Sequence, residues 1–378
     1  MVATSQNADV IIIGGGLIGC AIALRLAQAG RRVCVLERGE PGCEASSAAA
    51  GMLAPQGEIV EPDAFYELCA SSRDLYPAFI EEVRALSGAN VDYHRDGTLL
   101  VAANDAEKQE LETVYAAQSR IGLPIERLAP EAARQRVPGL SPTLQYSLFV
   151  PGDHWLDNEQ LCVAVAAACA RLGVQILLHH HVTGFEMRGE GLQSLKVHEA
   201  GSMGGERTFT ASEFVLAAGC WSAALTKPLG ITLPMQPCHG QMLEFDVAHK
   251  LPYVVRAGHH YLVPRSGNRV VAGTTAEWGQ FEKAVTGEGM KSILEGVTRF
   301  APFVKEMKFR RAWSGLRPDT ADHLPILGRG EISNLFFATG HFRNGILLAP
   351  ITAEVISDLI VKGSSSRPID AYRSARFA

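Results

Sequence analysis

Long apolar runs are missing from this sequence. The run Val10–Ile13 is cut short at Gly14, and the longest later one, Ile346–Ile360, contains Glu354 and Asp358. A helix that crosses a bilayer needs about 20 largely uncharged residues, so no membrane span is expected. The residues from Met1 to Asp9 carry no Lys or Arg, and a secretory leader would have a basic start. The expected location is therefore the cytoplasm. Basic clusters are missing too. Lys and Arg number 35 against 40 Asp and Glu, a formal net charge of −5, with no long run of either sign. Nucleic acid needs a concentrated basic face, so it is not an expected partner. A small anionic ligand is still permitted, because one buried Arg suffices for a carboxylate. None of the eight cysteines (Cys20, Cys34, Cys43, Cys69, Cys162, Cys169, Cys220 and Cys238) forms a C-x-x-C pair. They read as reduced thiols within core elements. His179-His180-His181 is the one apparent metal motif. Neighbouring strand residues face opposite ways, so three in a row do not converge, and no metal is expected.

What is present is most legible at the start. Val10–Ile13 is a strand buried on both faces. Gly14-x-Gly16-x-x-Gly19 follows, then a helix from Cys20 to Ala29 and a second strand from Arg31 to Glu37. Such a β–α–β unit of about 30 residues is a dinucleotide fingerprint. Gly14 permits the tight turn, Gly16 admits the pyrophosphate, and Gly19 lets the helix pack on the strand. The helix start, with Leu17 and Ile18, offers free N–H groups to the phosphates. Glu37 is placed to accept from the ribose hydroxyls, beside Arg38.

Further along, helices are expected over Asp63–Leu86, Ala106–Ile121, Glu159–Leu172 and Ile346–Lys362. Strands are expected over Val174–Leu178, Phe214–Ala218, Gln241–Phe245, Tyr261–Pro264, Arg269–Ala272 and Leu335–Thr339, with Gly267-Asn268 turning a hairpin and Gly201–Gly205 forming a loop. The α/β pieces lie early, near 159–230 and at the end, with β-rich pieces between. This predicts an α/β (α+β) fold of two interleaved domains: 1–87, 150–232 and 308–378 against 88–149 and 233–307.

The fingerprint does not separate FAD from NAD. The small-residue run Ser46–Ala54 could lie beneath a bulky ring system, and two further strands end in glycine at Gly219 and Gly340. That pattern resembles FAD oxidoreductases of the glutathione-reductase-like fold. At Ala48-Ala-Ala-Gly-Met-Leu53, Trp313-Ser-Gly-Leu-Arg-Pro318 and Gly340-His-Phe-Arg-Asn-Gly-Ile-Leu-Leu-Ala-Pro350 the chain resembles the D-amino-acid-oxidase family, especially its glycine-oxidising bacterial branch, from Asp9 to about Ile360. The resemblance implies a Rossmann-like FAD-binding domain and a mixed or antiparallel substrate domain. It implies non-covalent FAD on Gly14, Gly16, Leu17, Ile18, Gly19, Glu37, Arg38, Ala45, Ser46, Ala50, Gly51, Met52, Val182, Gly219, His341, Phe342, Arg343, Asn344, Gly345, Ile346 and Leu347. It also implies a homo-oligomer, in many members a tetramer. The activity it implies is oxidative deamination of glycine, sarcosine or D-alanine with oxygen and water, giving the oxo acid, ammonia (methylamine from sarcosine) and hydrogen peroxide, with a link to the thiazole of thiamine. Arg317 would grip the substrate carboxylate with help from Tyr261, and Arg343 and Met52 would line the pocket.

Read without the family, these residues keep second readings. Arg317 can be a structural partner of Asp319 or Asp322, Tyr261 can pack in its sheet, Arg343 can be structural, and Met52 can fill core space. His259 and His260 read as structural, and no catalytic base is nominated. A sarcosine or D-amino-acid oxidase or dehydrogenase, a flavin-binding protein without turnover, and an NAD-dependent dehydrogenase remain as alternatives.

Overall fold

The computed structural model describes residues 8–57, 59–201 and 205–377; residues 202–204 of the expected Gly201–Gly205 loop lie outside them. One sheet has six strands in the order 326–329, 335–339, 213–216, 10–13, 33–36 and 175–177. All its pairings are parallel except Ile326–Arg329 against Leu335–Thr339. The apolar run at the start is explained by its two faces. Val10 and Ile12 pack among helices Leu17–Gln28, Ala64–Ser87, Asn158–Arg171 and Ala349–Lys362. Ile11 and Ile13 pack on a second layer, the three-stranded sheet of His180–Arg188, Gly191–Glu199 and Arg207–Phe209. A strand covered on both sides needs no polar alternation, and each fully buried Ile contributes roughly 1.5–3 kcal/mol.

The other large sheet is mostly antiparallel, with nine strands drawn from residues 98–150 and 235–320. Here alternation sorts the faces. In the strand His260–Arg265, Leu262 joins a core with helix Gly287–Phe300, while Tyr261 and Val263 join Met242, Trp155 and Ala50 on the opposite side. Gly267 and Asn268, in the three-residue connection between paired Arg265 and Arg269, have φ of 70° and 53°, the left-handed region that turn residues adopt.

Three boundaries differ from the sequence reading by three residues or more. The first helix begins at Leu17, with extended Gly16 as its N-cap, so Gly19 lies inside the helix. Close packing demands it there: a Cβ on Gly19 would sit 2.0 Å from the Gly14 carbonyl oxygen. The last helix begins at Ala349, not Ile346, because Pro350 occupies its first turn; residues 345–348 form a turn ahead of it. The strand expected over Gln241–Phe245 extends over Met235–Asp246, held by a full-length partner, Lys308–Thr320. None of the eight cysteines is in a disulfide; seven are buried and Cys43 is exposed. No helix among the described residues is long and apolar enough to cross a membrane.

Candidate active site

A cavity of about 1370 Å³ runs between the two large sheets. Gly14, Gly16 and Ile18 line one end, with Glu37, Arg38 and Val182. The three fingerprint glycines differ in what demands them. Gly14 has φ of 107° and would place a Cβ 2.5 Å from the Ala217 oxygen, and Gly19 is packed as described. Gly16, at φ −66°, would meet only the Ser46 hydroxyl at 3.4 Å. The chain leaves a Cβ room there, so the bare backbone at Gly16 is a cradle open to the cavity. Glu37, 8% exposed, accepts from the Gly15 N–H at 2.7 Å and the Gly39 N–H at 2.8 Å, and so fixes the glycine loop. Arg38 donates to Glu44 and stacks 3.5 Å from the Trp221 ring centroid. Ser46 accepts from the Leu17 N–H at 3.0 Å.

The run from Ala45 through Ala50, Gly51 and Met52 forms the cavity floor. It is pinned from outside. Asn158 donates to the Ser46 and Ser47 carbonyls, and Trp313 to the Ala48 carbonyl. Buried Arg265 donates to the Ala50 carbonyl at 2.8 Å and to Asn158 at 2.9 Å. Small residues are required by closeness: a Cβ on Gly51 would lie 2.1 Å from the Leu156 oxygen. Met52 is half-buried, touching both this core and the cavity.

Gly219 follows Ala217 and Ala218 beside Gly14, and further along the wall stand Arg317, Tyr261 and the loop His341, Phe342, Arg343, Asn344, Gly345 and Ile346. Arg317 donates to the Thr274 hydroxyl at 2.7 Å, to the Thr275 carbonyl at 3.3 Å and to the Cys238 sulfur at 3.8 Å. The two carboxylates that would make it structural are engaged elsewhere. Asp319 takes Trp278 and His323, and Asp322 takes Arg376. Tyr261, 7% exposed, directs its hydroxyl at the Met242 sulfur, 3.5 Å away. Arg343 lies against the Phe342 ring, and Phe342, at φ 46°, stacks on His323. His341 is buried against Thr352, and loss of water pushes its pKa down to about 3, so it is neutral.

Leu17, Gly19 and Leu347 do not line the cavity. Leu17 offers only its capped N–H, Gly19 packs the helix, and the Leu347 carbonyl accepts from Ser72. His259 and His260 do reach the wall. His180 is buried with Nδ1 on the Leu178 carbonyl while His181 is exposed, and among the described residues no three metal-type side chains gather.

The family described as FAD dependent oxidoreductase matches residues 9–359. The chain belongs to this family. It is 35% identical over 372 residues to a glycine oxidase of Geobacillus kaustophilus, covering 97% of each chain. It is 36% identical to a bifunctional protein ThiO/ThiG of Trichormus variabilis, covering 98% of this chain and 55% of that one. The crystal structure of the Geobacillus kaustophilus glycine oxidase superposes with a TM-score of 0.92 at 33% identity, covering 98% and 99% of the two chains.

In this FAD-dependent oxidoreductase the open backbone at Gly16, the helix start beside it and the small-residue run at 45–52 would fit the cofactor. Sequence reading missed residues that surround Arg317 in this flavoenzyme: Thr274, Thr275, Cys238 and Gly240. Gly240 carried a signal, since glycine in mid-strand marks a close approach. The threonines carried none, because they follow the end of a strand and meet Arg317 across the sheet.

Proposed function

We propose that this flavoenzyme oxidises glycine, or another small amine-bearing carboxylate such as sarcosine or D-alanine. Glycine, oxygen and water give glyoxylate, ammonia and hydrogen peroxide. The observation that carries this reading is Arg317: a guanidinium in the cavity wall whose contacts are all to neutral acceptors. A charge held without a carboxylate partner among the described residues favours an anionic ligand, and its planar fork suits two carboxylate oxygens.

Bound FAD supplies the hydride acceptor. Gly14 to Ile18 would hold its pyrophosphate, Glu37 its ribose, and residues 45–52 with the 341–346 loop its ring. Binding is non-covalent: the wall cysteines are buried, and desolvation holds Cys220 up at about 12 and Cys238 above the ordinary thiol range, unfavourable for thiolate chemistry. Arg317 anchors the carboxylate. Tyr261 adds a hydroxyl from the cavity wall. Arg343 and Met52 line the space left for the substrate. Positioning of the α-carbon is the protein's main contribution, worth several kcal/mol when geometry is held. The expected division, 1–87, 150–232 and 308–378 for the cofactor against 88–149 and 233–307 for the substrate, is kept except for the strand Lys308–Thr320, which carries Arg317 and pairs along Met235–Asp246 in the nine-stranded sheet.

The relatives named glycine oxidase support the substrate, and those named ThiO/ThiG support a product that feeds thiamine thiazole synthesis. Eight cysteines outside any disulfide fit a reducing cytoplasm. The homo-oligomer is checked by sedimentation velocity. The central test is anaerobic reduction with glycine, sarcosine, D-alanine and D-proline, then admission of oxygen. Bleaching followed by peroxide is expected; a flavin that none of the four reduces overturns the proposal.

A further inference from the structure

Thr274 sits where the strand Arg269–Gly273 ends, and its hydroxyl is held from three sides. It accepts from Arg317 Nη2 at 2.7 Å, and its own proton faces the carbonyls of Gln241 at 3.1 Å and Thr275 at 3.2 Å. The Gln241 N–H in turn donates to the Thr275 hydroxyl at 3.0 Å. A threonine hydroxyl has one proton. With that proton directed at backbone carbonyls, the lone pairs are turned to the guanidinium, and Thr274 cannot rotate away without breaking the stitch to Gln241.

The donors of Arg317 can then be counted. A guanidinium has five N–H groups. Nη1 uses two, on Thr275 and Cys238, and Nη2 uses one, on Thr274. Among the described residues, Nε–H and the second N–H of Nη2 have no acceptor. Those two atoms form the side edge of the fork, the edge that meets both oxygens of a carboxylate in parallel.

We infer that Thr274 is a positioning residue that locks the Arg317 fork so that its Nε–Nη2 edge is the one presented to the substrate carboxylate. This rests on the assignment of Arg317 as the carboxylate anchor. It adds that the anchor is aimed by a neutral hydroxyl, which leaves its charge uncompensated for the ligand. A carboxylate at position 274 would aim the fork equally well and cancel that charge.

The test uses the flavin-loaded protein and glycolate, whose binding is read by perturbation of the flavin absorbance, together with KM and kcat for glycine. Thr274→Val keeps the volume and removes the hydroxyl; Thr274→Ala removes it a second way, should the valine variant fail to hold flavin. Both are expected to raise the glycolate Kd and the glycine KM roughly ten- to a hundredfold, as for loss of a hydrogen bond to a charged group, with a smaller change in kcat. Thr274→Ser should stay within about threefold of wild type, since an ordered hydroxyl is restored. Arg317→Ala must abolish glycolate binding. If Arg317→Ala binds glycolate normally, the anchor assignment falls and this inference with it. If Arg317→Ala loses binding while Thr274→Val keeps it, or if Thr274→Ser is as weak as Thr274→Val, the inference alone is overturned.

Discussion

Arg317 lies directly over Gly240, and a Cβ added there would be 2.3 Å from Nη1, 2.5 Å from Nη2 and 2.6 Å from Cζ. The two residues are on paired strands, Gly240 opposite Gly315 and Arg317 opposite Cys238. The bare backbone of one is the seat of the other. Gly240→Ala therefore pushes aside the flexible end of a side chain and leaves the sheet in place. Stability should change by no more than about 1 kcal/mol, while the glycine KM rises at least about tenfold. Thermal melts and steady-state kinetics on one preparation check both halves.

The fingerprint glycines separate in the same way. Gly16→Val meets no backbone obstacle, so the protein should fold and purify colourless, its phosphate cradle filled. Gly19→Val meets the Gly14 carbonyl at 2.0 Å and should not accumulate as folded protein. A yellow Gly16→Val variant with full FAD content would contradict the cradle.

Arg265 is the buried peg beneath the cavity floor, with the Asp157 carboxylate 3.9 Å away. Arg265→Leu strands the Ala50 carbonyl and the Asn158 amide oxygen. The expected loss is about 3 kcal/mol, with weakened FAD retention, because the floor at 46–51 loses its tie. Urea unfolding and the flavin-to-protein absorbance ratio measure the two effects.

His341 makes stability depend on pH. Its folded pKa, about 3, lies below the unfolded value near 6.5. The neutral form is favoured by folding, so the contribution is complete above pH 6.5 and declines as pH falls toward 3. The slope is about 1.4 kcal/mol per pH unit within that window. His341→Gln does not titrate. Between pH 7 and pH 5 the wild type should lose stability relative to this variant; parallel urea midpoints across that range would refute the burial of a neutral imidazole.

Much of this was legible in residue order. Val10–Ile13 announced a doubly covered strand because apolar residues at both parities leave no solvent face, and the Pro350 helix differed only at its first turn. Helix starts were less legible where glycine intervenes: Gly19 looks like a loop residue and is helical because of what it packs against. At the site, Arg317 and Tyr261 stood in motifs, while their surroundings did not. Thr274 meets Arg317 from 43 residues away, and Glu37 grips the loop at Gly15 from 22 residues away. Contacts of that kind are properties of strand register, which periodicity does not encode.

The six-stranded sheet takes its strands from residues 10–36, 175–177, 213–216 and 326–339, while the nine-stranded sheet fills the intervals at 98–150 and 235–320. No single backbone cut can therefore release either sheet whole. During synthesis the strand Val10–Ile13 must wait about 200 residues for its neighbour Glu213–Leu216, with its apolar faces open in the meantime. Assembly of this kind is slow and exposes the chain to aggregation, so soluble yield should respond to chaperone supply more steeply than the equilibrium stability would suggest.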